Sequence, residues 1–264
     1  MISHLNNRSL IKISGKDSQQ FLQSQFSNNI NHLQKDRIQV NAYCQHQGKI
    51  IALIWLFRIE DEFHLSIPTE MKEILLSRLN MFKLMSDIDI EDISSVTYQY
   101  GVVGKVNLQT YKIHKNLSLL ISNDSHHDSD SIDSWEKACI ENYLPEIYLT
   151  TSEKYIPQAL NLDLNEFGVS FSKGCYPGQE VVARMHYLGN PKRRLFIFKS
   201  RFKTNVGDSL NINESKSLKP SGEVIRSVSY GDGFLCLATF ETAHIDKDIY
   251  LNNIPQQKLE VFNE

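Results

Sequence analysis

From residue 193 onward the chain is written as short β-prone runs, LFIFKSRF, GEVIRSVSY, FLCLATF, IYLNNI and KLEVF, broken by Asn-Val-Gly-Asp, Pro-Ser-Gly and Gly-Asp-Gly. Strands this short, evenly spaced and separated by turn residues, are expected to close into a small β-barrel over residues 193–264. The first 192 residues obey a different pattern. Arg8–Ser14 reads as a strand, after which Gly15, Lys16 and Asp17 open a helix, with Asp17 as N-cap, Gln20 in capping-box position, and Phe21, Leu22 and Phe26 buried. Residues 38–67 hold three β-rich runs broken at Gln47-Gly48 and at Glu60-Asp61-Glu62, which predicts a meander. Past Pro68, Thr69 is placed as the cap of a helix carrying Met71, Ile74, Leu75, Leu79 and Phe82 at helical spacing, and residues 96–106 return to strand. Strands alternating with helices predict an α+β domain of ferredoxin-like layers over residues 1–192.

At 264 residues and 41% hydrophobic, the chain has material for a sizeable core and about two domains. A net charge of −3 excludes wholesale attraction to nucleic acid or anionic membrane. No apolar run approaches the roughly 20 residues that cross a bilayer, and the opening MISHLNNRSL has no targeting pattern, so a cytoplasmic or processed matrix protein is expected, without membrane contact. Cys44, Cys139, Cys175 and Cys236 form no CxxC and no Cys/His cluster, which speaks against a structural zinc or a disulfide framework. Residues 123–134 have the composition of a polar loop, where His126 and His127 with nearby aspartates are metal candidates set against the plainer reading of a solvated loop; residues 135–143 read as a helix.

The chemistry concentrates in KGCYPGQEVVARMHYLGNPKRR, residues 173–194. Cys175 stands just before a helix that should start near Gly178 and turn Val181, Val182, Met185 and Leu188 inward. The positive end of that helix and the Lys173 ammonium both favour thiolate over thiol, whereas a plain buried cysteine would be a small hydrophobe. For Glu180 and Arg184, one helical turn apart, the alternative is a surface ion pair contributing about 0.3–0.5 kcal/mol. Residues 173–203 hold eight Lys or Arg against the single acid Glu180, so this window is +7 while the rest of the chain is −10. Such a patch faces phosphates, a polyanionic tail or solvent.

KGCYPGQEVVAR, preceded by YIPQALNLD, together with LIKISGKD and FLQSQ near the start, resembles the YgfZ family of folate-binding, tRNA-modifying proteins, which is related to the mitochondrial iron–sulfur cluster assembly factor. Its parent superfamily is similar to the aminomethyltransferase of the glycine cleavage system. The resemblance implies a ring of ferredoxin-like α+β units around a folate pocket, closed by the C-terminal barrel, with tetrahydrofolate or a derivative as cofactor. It places Trp135 against the folate, Glu141 on the pterin edge and Arg184 in the same site. Stacking by an indole and a two-point hydrogen bond to a carboxylate suit such a ring, against the alternatives of a core Trp and a solvated Glu. At Arg8 some similar proteins have a second folate-contacting tryptophan. The acidic pair that aminomethyltransferases carry after a glycine matching Gly48 is missing, since the text runs Lys49, Ile50, Ile51, Ala52. One-carbon transfer would lack its proton handler.

The expected role is therefore a folate-binding accessory factor rather than an enzyme, supporting iron–sulfur cluster assembly or repair and thereby tRNA methylthiolation. Cys175 would be the functional thiol and a transient cluster ligand, Lys173 its activator, and Gly174, Tyr176, Gly178, Gln179 and Glu180 would shape the site. Iron–sulfur enzymes or assembly proteins are the expected partners, with an anionic partner at Arg193 and Arg194. The alternative is a folate-dependent one-carbon transferase or demethylase with Cys175 as nucleophile. A direct RNA-binding module at Lys192, Arg193 and Arg194 lacks any RNP-like or KH-like signature.

Overall fold

The structure is a computed structural model that describes residues 1–84, 86–125, 130–212, 219–252, 254 and 256–262. The chain runs β1 (Ile2–His4), β2 (Arg8–Ser14), α1 (Ser18–Gln25), β3 (Gln39–Cys44), β4 (Ile50–Ile59), β5 (Glu62–Pro68), α2 (Lys72–Phe82), β6 (Asp89–Asp92), β7 (Tyr98–Val103), β8 (Tyr111–His114), β9 (Leu117–Ser122), α3 (Ile132–Glu141) and α4 (Gln179–Leu188). It then continues through β10 (Arg193–Ser200), β11 (Ser209–Ile212), β12 (Gly222–Tyr230), β13 (Gly233–Glu241), β14 (Ile249–Leu251) and β15 (Lys258–Val261). Two antiparallel sheets, in the orders β3-β4-β5-β2-β6 and β1-β7-β9-β8, precede a closed barrel ordered β10-β13-β12-β11-β14-β15.

Strand β4 explains why these layers stack. Its near-continuous apolar text, IIALIWLF, suits a strand covered on both faces, and from Leu53 onward its residues alternate between two cores. Leu53, Trp55 and Phe57 join a cluster with Tyr111, Leu117, Leu119 and Trp135 of the second sheet and α3. Ile54 and Leu56 join Phe21, Leu22, Leu75 and Leu79 of α1 and α2. The first sheet thus has helices on one face and the second sheet on the other.

The barrel repeats the alternation. Phe198, Leu210, Val224, Cys236 and Phe240 make its own core, while Leu195, Ile197, Val228, Leu235 and Leu237 join the large cluster of the α+β part. Pairing of β12 with β13 slips between Val224 and Arg226. Such a bulge re-aims the side chains that follow it. Here Arg226 is carried out of the barrel pattern toward α3 and the segment after it, where its Nε donates to the Leu144 carbonyl at 2.8 Å.

Several local expectations are corrected. Asp17 does sit at the start of α1 but makes no side-chain cap, because its Oδ2 accepts the Asp87 N–H at 2.8 Å and ties the helix start to the approach to β6. Thr69 opens a short 3-10 turn ahead of α2 and lies 3.2 Å from the Ser9 hydroxyl instead of capping the helix. Helix α3 begins three residues early, capped by Ser131, whose hydroxyl accepts the Asp133 N–H at 3.2 Å. Only Val182 of the supposed apolar side of α4 is buried, while Val181 and Leu188 are exposed. Strand β11, a four-residue SLNI, has too short an apolar run to register as a strand in the sequence. His126 and His127 lie outside the described residues. No helix among the described residues is long and apolar enough to cross a membrane.

Candidate functional site

The motif around Cys175 is built on two glycines back to back. Gly178 precedes α4 with φ +81° and Gly48 turns β3 into β4 with φ +75°, backbone conformations that L side chains rarely adopt. A Cβ on Gly178 would lie 2.4 Å from the Gln45 carbonyl oxygen and 2.7 Å from Gly48 Cα. The helix start is therefore seated on the β3–β4 turn, and its Val182 carbonyl is held by Gln158 Nε2 at 2.8 Å. Ahead of this seat Cys175 is exposed, in contrast to Cys44, Cys139 and Cys236, which are buried. Burial pushes the thiols of Cys44 and Cys236 up to about 12, and that of Cys139 upward as well.

Lys173, expected to act on that thiol, has a commitment of its own. Its ammonium is buried and donates to the carbonyls of Gln23 at 2.6 Å, Asn28 at 3.0 Å and Phe26. The end of α1, whose last carbonyls have no partner within the helix, is thereby closed by a cation. Burial lowers the Lys173 pKa to about 8. Tyr176 lies beneath it, its ring 5.2 Å from Nζ, and burial raises the phenol's pKa. Gly174 stands in open space with no atom within 4 Å of an added Cβ. Gln179 is half-buried, Glu180 and Arg184 are exposed, and no ion pair joins these two among the described residues.

No hydrogen bond, ion pair or ring contact joins Trp135, Glu141 and Arg184, expected to share a pocket, among the described residues. Trp135 is only 1% exposed, and a Cβ on Gly101 of β7 would lie 2.3 Å from its Cδ2. Its ring meets Trp55 edge to face at 6.2 Å. Glu141, six residues on and so turned away around the helix, pairs with Lys137 at 2.9 Å. Arg184 lies on α4 in the other region.

What surrounds the tryptophans instead is a buried charge network. The Arg8 guanidinium lies 3.5 Å over the Trp55 ring, pairs with Glu146, and donates to the Ser66 hydroxyl at 2.8 Å and carbonyl at 2.9 Å. Arg226 reaches Glu136 at 2.6 Å and Glu146 at 3.6 Å. Burial works against the charge on Arg226, and the carboxylates, Glu136 foremost, overrule it, so its pKa rises. Three buried polar atoms around Arg8 find no hydrogen-bond partner among the described residues: Trp55 Nε1, Gln99 Oε1 and Arg226 Nη2. Two donors and an acceptor are the kinds of group with which the polar edge of a pterin pairs, so the residues present fit a folate ring in kind. Trp55, Gln99, Glu146 and Arg226 are absent from the sequence-based site. Their signature in the sequence is a charge inside apolar text, Glu146 in YLPEIYL and Arg226 in EVIRSV.

The two arginines expected to meet an anionic partner are occupied within the chain. Arg194 forks onto Asp163 at 2.6 and 3.0 Å and bonds the Gln158 carbonyl at 2.8 Å. Arg193 donates to the Pro220 carbonyl and lies 3.5 Å from Glu241. Among the described residues no three His, Cys, Asp or Glu side chains gather as metal ligands.

No protein-family model matches the chain. An uncharacterized protein of Haemophilus influenzae is 29% identical over 92% of this chain and 90% of its own length. The tRNA-modifying protein YgfZ of Aliivibrio fischeri is 25% identical over 94% of this chain and 86% of its own, and that of Buchnera aphidicola 29% identical over 77% and 75%. Among solved structures, the glycine cleavage system aminomethyltransferase T from Bartonella henselae covers all of this chain, and 84% of its own, with a TM-score of 0.72. At 11% identity that likeness is one of fold. Among the described residues, two sheets, four helices and a closed six-stranded barrel make an aminomethyltransferase-like fold, and over most of its length the chain is similar to proteins named tRNA-modifying protein YgfZ.

Proposed function

We propose that this protein is a cytoplasmic folate-binding accessory factor for tRNA modification, which uses the Cys175 thiol in assembling or repairing the iron–sulfur clusters of modifying enzymes. The observation that carries this reading is the contrast among its cysteines: Cys175 alone is exposed, at the tip of a loop whose base is fixed by Lys173 and by the Gly48–Gly178 contact. A thiol held out from a rigid base can reach a partner's cluster without rearranging the fold. After losing its proton it offers one thiolate, and the remaining cluster ligands come from the partner or a small thiol. Gly174 and Glu180 flank it as exposed residues for that partner to cover.

A folate would be held at the double-tryptophan centre, by Trp135 and Trp55 with the surrounding polar groups, and would bring a one-carbon carrier. The run after Gly48 is strand β4, buried from Ile50 to Phe57 and free of carboxylates. Proton handling for one-carbon transfer is lacking there, which favours the accessory role over a transferase.

The test is replacement of Cys175 by Ser in cells that lack the native protein. The expected outcome is loss of methylthiolated tRNA, with melting temperature and folate affinity of the purified protein unchanged. Iodoacetamide should label Cys175 at once and the other three cysteines only after unfolding. Full methylthiolation with Cys175→Ser would falsify the thiol mechanism.

A further inference from the structure

Three cations of the +7 window are consumed by the fold: Lys173 closes α1, Arg194 forks onto Asp163, and Arg193 lies against Pro220 and Glu241. Of the rest, Lys199, Arg201 and Lys203 gather at the end of β10, and none of the three makes an ion pair among the described residues. A cleft of about 600 Å³ opens there, bounded by Lys199, Arg201, Phe202, Tyr230, Phe234 and the β12–β13 turn. That is room enough for a flat ring and the charged group attached to it.

Strand alternation explains why rings and charges meet at this end of the barrel. Leu195 and Ile197 face outward onto the α+β core, and Lys199, two residues on, continues their row past the joint. Its ammonium lies 4.2 Å from the Phe262 ring and 5.2 Å from the Tyr230 ring, and the two rings are 6.3 Å apart. Lys199 is thus steadied by aromatic faces, which leave its charge unneutralised. The buried Ser200 hydroxyl accepts the Phe202 N–H at 3.0 Å and donates to its carbonyl at 2.8 Å, a turn that ends β10 and presents the Phe202 ring, 38% exposed. Phe234 also lines a second groove of about 320 Å³ with Lys203 and Thr204, so one cleft runs on into the other.

We propose that this path on the barrel binds an unpaired stretch of RNA, with bases stacked on Phe202 and Tyr230 and phosphates on Lys199, Arg201 and Lys203. The inference rests on the tRNA-modification reading and names the surface that meets the tRNA. Rings interleaved with cations suit a strand in which flat bases alternate with phosphates. Asp133, Asp232 and Glu260 stand in the same two clefts, and Lys258 is taken up by Asp248 at 2.6 Å, so a ligand of charge alone meets as many repelling groups as attracting ones. A polyglutamate tail or an acidic peptide lacks the stacking that tips this balance. A paired helix keeps its base faces within its own stack, and a single nucleotide fills one cleft and leaves the other empty.

The experiment follows the fluorescence anisotropy of a labelled, unstructured RNA of about ten residues as the whole protein is added. With three phosphate contacts, the logarithm of affinity should fall against that of salt with a slope of about −2. Phe202→Ala and Arg201→Gln should each weaken binding about tenfold without a change in melting temperature, and only Arg201→Gln should flatten the slope, by about 0.7. Tyr230→Phe keeps the ring and should bind as the native protein does, whereas Tyr230→Ala should bind about tenfold more weakly. Phe202→Ala carries the stacking test if Tyr230→Ala folds poorly. Absence of RNA binding, or native affinity in both Phe202→Ala and Arg201→Gln, overturns the proposal. Polyglutamate of equal charge binding as tightly as RNA would make the cleft a contact for an acidic protein, and AMP displacing the RNA at the concentrations where RNA itself binds would make it a one-nucleotide site; either result overturns the strand. Methylthiolation in cells separates this inference from the reading beneath it. If methylthiolation needs Cys175 while the purified protein binds no RNA, the cleft proposal falls and the thiol mechanism stands. If RNA binds at this cleft while Cys175→Ser changes nothing, the thiol mechanism falls and the cleft stands.

Discussion

The Cys175 loop and the Arg8–Glu146–Arg226 centre are opposites in construction. One is a contiguous stretch whose reactive atom is exposed and whose neighbours are fixed by backbone geometry and a single lysine. The other is assembled from β2, β4, α3, the segment after it and β12, with Arg8, Glu146 and Arg226 enclosed and Glu136 partly exposed at its rim. A buried ion network is costly to break because removing one partner strands the rest, whereas an exposed thiol can be removed at little cost to the fold. The contrast separates positions where substitution measures stability from those where it measures function.

The largest effect should come from Glu146→Ala. It leaves the buried Arg8 guanidinium without its carboxylate and Arg226 with Glu136 alone, and should lower stability by about 3–5 kcal/mol in urea denaturation. A loss under about 1 kcal/mol would mean that water reaches the centre and that the two regions differ less than their burial implies.

How legible each region was follows from the same contrast. The barrel, the meander and the KGCYPGQE helix start are written in adjacent residues, where turn chemistry, period-two alternation and a cap reveal themselves locally. The centre is written across more than two hundred residues. Arg8 stands out in the sequence only as a departure from the family pattern, and its stacking on Trp55 depends on β2 and β4 both pairing with β5, while Arg226 enters because a bulge in β12 turns it toward α3. The resemblance puts Trp135 and Glu141 in one site, while six residues of helix point them in different directions. Lys173 stands two residues from Cys175 in the sequence, while its length lets it reach the end of α1.

Lys173→Met is the next test, since it leaves the carbonyls at the end of α1 without their shared donor and should cost about 2–3 kcal/mol. Its pH dependence sharpens the point. The folded pKa, about 8, lies below the unfolded value of 10.5, so between these two values the unfolded chain holds a proton that the folded chain has released. Native stability relative to Lys173→Met should therefore rise with pH across that window, the cost of burying the ammonium being fully present below pH 8. A flat difference would show that the three carbonyls hold the charge in place against burial.

Replacing Arg194 should have an intermediate effect. Arg194→Ala removes the fork onto Asp163 and a bond to the Gln158 carbonyl, and with them a clamp between the barrel and the segment that supports α4. A loss of about 1–2 kcal/mol is expected, from a partly exposed pair with good bidentate geometry. If tRNA affinity at low salt falls while stability does not, this arginine belongs to an interaction surface rather than to the joint.

The smallest effect on stability is expected at Glu180, and it is the most direct probe of what the loop is for. Its carboxylate is exposed on the first turn of α4, and it forms no pair with Arg184 although their spacing would allow one. What remains for it to contribute is its favourable position at the positive end of the helix, so Glu180→Gln should change stability by less than about 0.5 kcal/mol. The same variant is then tested for support of tRNA methylthiolation beside Cys175→Ser. A drop in modified tRNA without a drop in melting temperature would place Glu180 with the thiol, in contact with whatever partner covers the loop. A drop in both would mean that the start of α4 depends on this charge for its folding. The loop would then be less independent of the rest of the molecule than its open geometry indicates.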